Sequence, residues 1–89
     1  MSPLEPRYPA IGKTIKSLRD EAGLTQEELA HAAGTNTSEI SLLERGLRNP
    51  KWETMKPLAN GLGVSCADMV ARAEQFEREE EDEREEGES

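Results

Sequence analysis

Arg45, Arg48 and Lys51 bring three cations together just past a segment, Leu24 to Gly46, that reads as two short helices joined by a tight turn. Cations so placed suit the docking of a phosphate backbone, because local field, not total charge, decides where a polyanion settles. Two helices crossed in this way present the outer face of the second to solvent, a geometry known for entering the DNA major groove. The pattern alone fits a plain αα-hairpin equally well.

The elements that must position these groups are legible as apolar spacing and caps. In LTQEELAHAAGTNTSEISLLERG, Leu29, Ala30 and Ala33 give the first helix its inner face, and Ile40 and Leu43 give the second its own. A small residue at Ala30 lets the two cross closely, and Gly34 permits the positive φ that the turn needs. Thr25-x-x-Glu28 is a capping box that opens helix two. Thr35, Asn36, Thr37 and Ser38 offer caps for helix three, which starts near Asn36 or Thr37 and stops at Gly46. Upstream, Ile11, Ile15 and Leu18 lie on one stripe of a helix one running from about Ala10 to Glu21, with Gly23 as its stop. Downstream, LRNPK makes a loop. Helix four spans about Trp52 to Gly61 with Met55, Leu58, Ala59 and Leu62 inward. Pro57 must then fall near its first turn or bend it, and Gly61 weakens it. Ser65-x-x-Asp68 is a second capping box, opening helix five with Met69, Val70 and Ala73 as its apolar side. The fold class these elements define is all-α: five short helices around one aliphatic core.

At 89 residues there is room for one small domain, and with one Trp, one Tyr and one Phe its core must be aliphatic. The formal charge of −8 is unevenly spread: Ile11 to Ala73 carries eight basic and eight acidic residues, while Glu74 to Ser89 carries ten acids and two arginines. The chain divides into an arm at residues 1–9 (with Pro3, Pro6 and Pro9, expected to be extended or disordered), a helical domain at 10–73 and an acidic tail at 74–89. Glu74–Arg78 and Glu80–Arg84 stand at i,i+4, so helix five extends some turns into the tail before self-repulsion frays it to disorder ahead of Gly87. No apolar run is long enough to span a membrane, the N-terminus lacks the order of a signal peptide, and a lone Cys66 reads as a small core residue near a helix start. A cytoplasmic protein is expected. No catalytic set, glycine-rich phosphate loop or metal-ligand cluster is present, and His31 has no partner at metal spacing. Neither an enzyme nor a cofactor, metal or small-molecule ligand is expected.

Three stretches also carry a resemblance. GLTQEELA, LLERG and RNPKWETMKPLANGLGVS resemble the second helix, the end of the third, and the fourth helix with its preceding loop in the Cro/CI repressor (Xre-type) family; the similarity runs roughly from Ile11 to Arg72. It implies a compact five-helix lambda-repressor-like domain with a helix-turn-helix at helices two and three. It also implies base contacts from Thr37, Ser38 and Leu42, with Ser41 facing the groove too. Hydroxyls can donate or accept toward several bases, and Leu42 can pack on a thymine methyl. With no Arg, Gln or Asn at the main reading positions, discrimination by bidentate pairs is limited. Glu39 departs from the small polar residue common there and is expected to face outward near phosphates or a cytosine amino group. Gln26 matches a phosphate-binding position, Asn36 is a similar candidate, and Arg45, Arg48 and Lys51 would grip the backbone beside the groove. Arg19 and Glu44 match a structural salt bridge between helices one and three.

The function implied is a homodimeric transcription regulator, a repressor or autoregulator, that reads double-stranded DNA half-sites about one turn apart. The dimer surface would come from the loop Leu47–Trp52, from helix five, or from both; Trp52 is either core or an exposed anchor for a second subunit. The rival is a protein-interaction module such as an antitoxin or adaptor, its acidic tail engaging a protein partner. A third possibility has the tail fold back on the basic face as an autoinhibitor.

Overall fold

The computed structural model describes residues 5–88, side chains through 85. Its helices are α1 (Pro9–Ala22), α2 (Gln26–Ala32), α3 (Thr37–Glu44), α4 (Trp52–Leu62) and α5 (Cys66–Glu88), and no strand occurs among the described residues. Pro9 sits where a proline costs a helix least, at its start. Both capping boxes form: the Glu28 N–H donates to Thr25 Oγ1 at 3.0 Å while the Thr25 N–H donates to Glu28 Oε1 at 2.9 Å, and Ser65 and Asp68 repeat the exchange.

Ile15, Leu29, Ile40, Leu43, Leu58 and Met69 have no exposed surface and, with Leu18, Ala30, Ala59 and Leu62, make a single core. Ile11, Ala33, Met55 and Cys66 pack half-buried against it. At roughly 1.5–3 kcal/mol for each large side chain fully buried, Ile40 and Leu43 alone fix which side of α3 faces in. Val70, expected on the inner face, is 47% exposed, because the more buried stripe of α5 runs through Met69, Ala73 and Phe76. Thr14, not singled out by the sequence, is fully buried and satisfies its hydroxyl by donating to the Ala10 carbonyl at 2.8 Å.

Two glycines are spent on close approach, not on turns. A Cβ on Gly12 would stand 2.7 Å from the Glu44 carbonyl oxygen and 2.8 Å from that of Leu43, so α1 crosses the end of α3 backbone to backbone. A Cβ on Gly61 would meet Ala32 Cβ at 3.1 Å, which explains a residue that otherwise only weakens α4. Gly12→Ala gains about 1 kcal/mol in helix propensity but forces rigid backbone apart, at about 1–3 kcal/mol. The variant is therefore expected to melt below the wild type; a higher melting temperature would show that α1 can shift freely.

Two sequence expectations are corrected, and of the two courses open to Pro57 the first-turn placement is excluded. Pro57 lies inside α4, beyond its first turn. It deprives the Glu53 carbonyl of a helix partner, at the exposed start of α4 where the loss costs least. The tail does not fray before Gly87: α5 is continuous to Glu88. It runs antiparallel to α1, with Arg72 bonded to Ser17 and Glu21, and Glu80 to Lys13 at 3.0 Å. The contact of α5 with α1, closed by the Lys13–Glu80 pair, adds what i,i+4 pairs alone could not. Among the described residues, the tail carboxylate paired with a cation of the helical domain is Glu80, on Lys13 of α1, and no pair to Arg45, Arg48 or Lys51 supports the fold-back idea. Finally, the arm is anchored at its end: the Arg7 and Tyr8 N–H groups both donate to the Gly46 carbonyl at 3.0 Å. The part of the arm at residues 1–4 lies outside the described residues.

Candidate nucleic-acid interface

The turn between α2 and α3 is made by Gly34 at φ 69°, closed by the Thr35 N–H on the Ala30 carbonyl at 2.9 Å. No neighbour crowds Gly34, so backbone conformation alone selects it. Asn36 caps α3, its Oδ1 accepting from the Glu39 N–H at 2.8 Å. That bond occupies the amide oxygen and leaves the Nδ2 donors of Asn36 available. In the capping box of α2, the Thr25 backbone N–H and then its hydroxyl hold the Glu28 carboxyl below the usual carboxylate range. The linkage follows from that sign: the box contributes fully above the ordinary glutamate value and is lost as pH falls through the lowered one.

With Ile40 and Leu43 turned inward, the opposite side of α3 is open. Thr37 and Ser38 are exposed, Ser41 and Leu42 half-buried. These four line one shallow depression together with Gln26 from α2 and Arg45 from the end of α3. Six of the nine residues singled out in the sequence thus share a surface. Asn36 adjoins it through the α3 cap. Lys51 stands exposed as the residue before α4, away from the depression.

Two residues carry partners that the sequence does not announce. Glu39 does not project free; its carboxylate lies 3.8 Å from Arg48 Nε, with the side chains 28% and 56% exposed. The chain turns back after Gly46 and delivers Arg48 to the first turn of α3. Gln26 is not free either, since its Nε2 donates to Glu44 at 3.0 Å. The Arg19–Glu44 bridge forms as anticipated, with Nε 2.6 Å and Nη2 3.1 Å from the two carboxylate oxygens and side chains only 12% and 5% exposed. Glu44 raises the Arg19 pKa chiefly through that hydrogen bond, against the opposing effect of burial. Arg19 also donates to the Leu24 carbonyl at 2.8 Å, so one guanidinium ties α1, the loop before α2, and α3.

Elsewhere, Trp52 resolves as exposed, 63% open with the Lys56 ammonium 6.0 Å from its ring centre. His31 is exposed on α2. Among the described residues no cluster of His, Cys, Asp or Glu could hold a metal, and no helix is long and apolar enough to cross a membrane.

Two helices crossed at a glycine turn, the second held by its apolar face and open on its polar one, define a helix-turn-helix domain. Residues 10–73 match the helix-turn-helix domain family, and the chain belongs to it. It is 45% identical over 60 residues to y4dJ of Sinorhizobium fredii, an uncharacterized HTH-type transcriptional regulator, covering 67% of this chain and 78% of that one. It is 38% identical over 60 residues to the transcriptional repressor RstR of cryptic phage CTXphi from Vibrio cholerae, covering 67% of this chain but 54% of RstR. In three dimensions it is similar to the clp gene regulator ClgR of Corynebacterium glutamicum, with a TM-score of 0.86 at 28% identity over 90% of this chain and 85% of that one. The Cro/CI-type five-helix architecture expected from the sequence is the one observed.

Proposed function

We propose that this protein is a sequence-specific DNA-binding transcription regulator, a repressor or autoregulator, that lays α3 in the major groove as a homodimer. The observation that carries the reading is the gathering of Thr37, Ser38, Ser41 and Leu42 with Gln26 and Arg45 on one outward surface. The hydroxyls of Thr37, Ser38 and Ser41 meet base edges and Leu42 meets a thymine methyl. Gln26, Asn36 through Nδ2, Arg45, Arg48 and Lys51 hold phosphates on either side. Arg48 must exchange Glu39 for phosphate, which costs little because an exposed pair at 3.8 Å is worth at most about 1 kcal/mol. Exposed Trp52, and Val70 beyond it in sequence, supply apolar surface for a second copy. Two copies related by a two-fold axis would read half-sites about one helical turn apart. The repressor and regulator names of the relatives support the same reading.

The test is duplex retardation across a salt series, with the full chain and with Arg45→Ala. The wild type should bind random duplex in a salt-sensitive manner. Arg45→Ala should weaken binding equally on all sequences and flatten the salt slope by about one unit. Absence of any salt-sensitive binding by the wild type would favour the protein-interaction rival.

A further inference from the structure

We propose that Glu44 is a positioning residue for the DNA-facing surface: it holds the Gln26 side-chain amide in its phosphate-binding orientation before duplex arrives. This rests on the DNA reading of α2 and α3 given above. The supporting geometry is a buried carboxylate shared by three helices. Glu44, 5% exposed, accepts both Arg19 bonds and a third from Gln26 Nε2 at 3.0 Å. An ionised carboxylate can only accept, so it selects the nitrogen of the Gln26 amide and turns the group one way round. Gln26 also lines the depression with Thr37, Ser38 and Arg45. One N–H of its amide is spent on Glu44 and the other remains to donate to a phosphate oxygen.

The arrangement has a physical advantage. A glutamine side chain that is free on the surface loses rotamer freedom when a ligand fixes it, and that loss weakens binding. Here the ordering is done on folding. The same carboxylate ties α1 to the end of α3, with Arg19 reaching on to the Leu24 carbonyl just ahead of α2. The phosphate donor on α2 and the reading helix are thereby set in fixed relation by one group that itself never touches DNA. Arg19 donates once to each Glu44 oxygen, and the Gln26 amide shares Oε1 with Arg19 Nη2.

A double-mutant cycle on duplex affinity tests it, using the full chain, Gln26→Met, Glu44→Gln and the pair, each checked for folding by circular dichroism. Gln26→Met should weaken binding about tenfold, the size of a lost hydrogen bond to a charged group. Glu44→Gln should weaken it several-fold in the wild type yet leave Gln26→Met unchanged within about twofold, because its effect passes through Gln26. Losses that simply multiply overturn the proposal. Should Glu44→Gln fail to fold, the wild type decides: nitrogen relaxation of the free protein should find the Gln26 amide about as rigid as backbone, order parameter near 0.85, with the exposed Gln75 amide mobile as comparator. An equally mobile Gln26 amide overturns it. Wild-type protein with no salt-sensitive duplex binding overturns the DNA reading and this proposal with it, whereas binding with multiplicative losses overturns this proposal alone.

Discussion

Arg19→Ala should remove most of the folding free energy of the domain. Its partner Glu44 is 5% exposed and would be left buried without a cation. Removing one member of a buried, hydrogen-bonded pair costs about 3–5 kcal/mol, because the remaining charge keeps its desolvation penalty and loses its compensation. A domain of this size has about 5–10 kcal/mol in hand, so the variant should unfold at or near physiological temperature. Arg19→Lys should recover only part of the loss, since an ammonium cannot reproduce the two-pronged contact with Glu44 or reach the Leu24 carbonyl at the same time. Replacing both partners by methionine should be far milder than either single change, because no charge is then stranded. Thermal denaturation followed by circular dichroism reads all of these. A melting temperature for Arg19→Ala within a few degrees of the wild type would mean that Glu44 is reached by water and that the bridge ties nothing together.

Ser38→Glu should separate stability from function. Ser38 is exposed in the first turn of α3, where a carboxylate is favoured by the helix dipole by about 0.3–1 kcal/mol. The melting temperature should hold or rise. In the proposed complex the same carboxylate would enter a groove walled by phosphates, and like charges brought together at an interface cost several kcal/mol. Duplex affinity should therefore fall by a hundredfold or more. Unchanged binding by this folded, equally stable variant would place α3 outside the groove.

What the sequence disclosed and what it hid divide by range. Helix starts were legible wherever the stabilising contact is local: Thr25 with Glu28, Ser65 with Asp68, and Asn36 with the first turn of α3 all form within a few residues of themselves. The inner faces of α2 and α3 followed from apolar spacing for the same reason. Contacts between distant parts of the chain were hidden. Nothing near Gly12 in sequence announces the backbone of Leu43 and Glu44 that lies against it. Glu39 looked free until the loop after Gly46 brought Arg48 to it. The length of α5 could not be read from a carboxylate-rich stretch, because what supports it is α1, through Lys13 and Ser17. Pro57 misled in the opposite sense: a local penalty of about 3 kcal/mol is outweighed by burying Leu58, Ala59 and Leu62 around it. The site residues were chosen by resemblance, and the fold collects most of them; Gln26 shows the limit, since nothing in its surroundings in sequence points to Glu44 as its partner.

The most direct measurement is selection of bound sites by the full chain from a random duplex library, run beside Ser38→Glu. The account predicts that the wild type enriches a two-fold symmetric sequence with half-sites about one helical turn apart, and that the variant enriches none. Failure of the wild type to enrich any sequence, together with no salt-sensitive retardation of duplex, would contradict it.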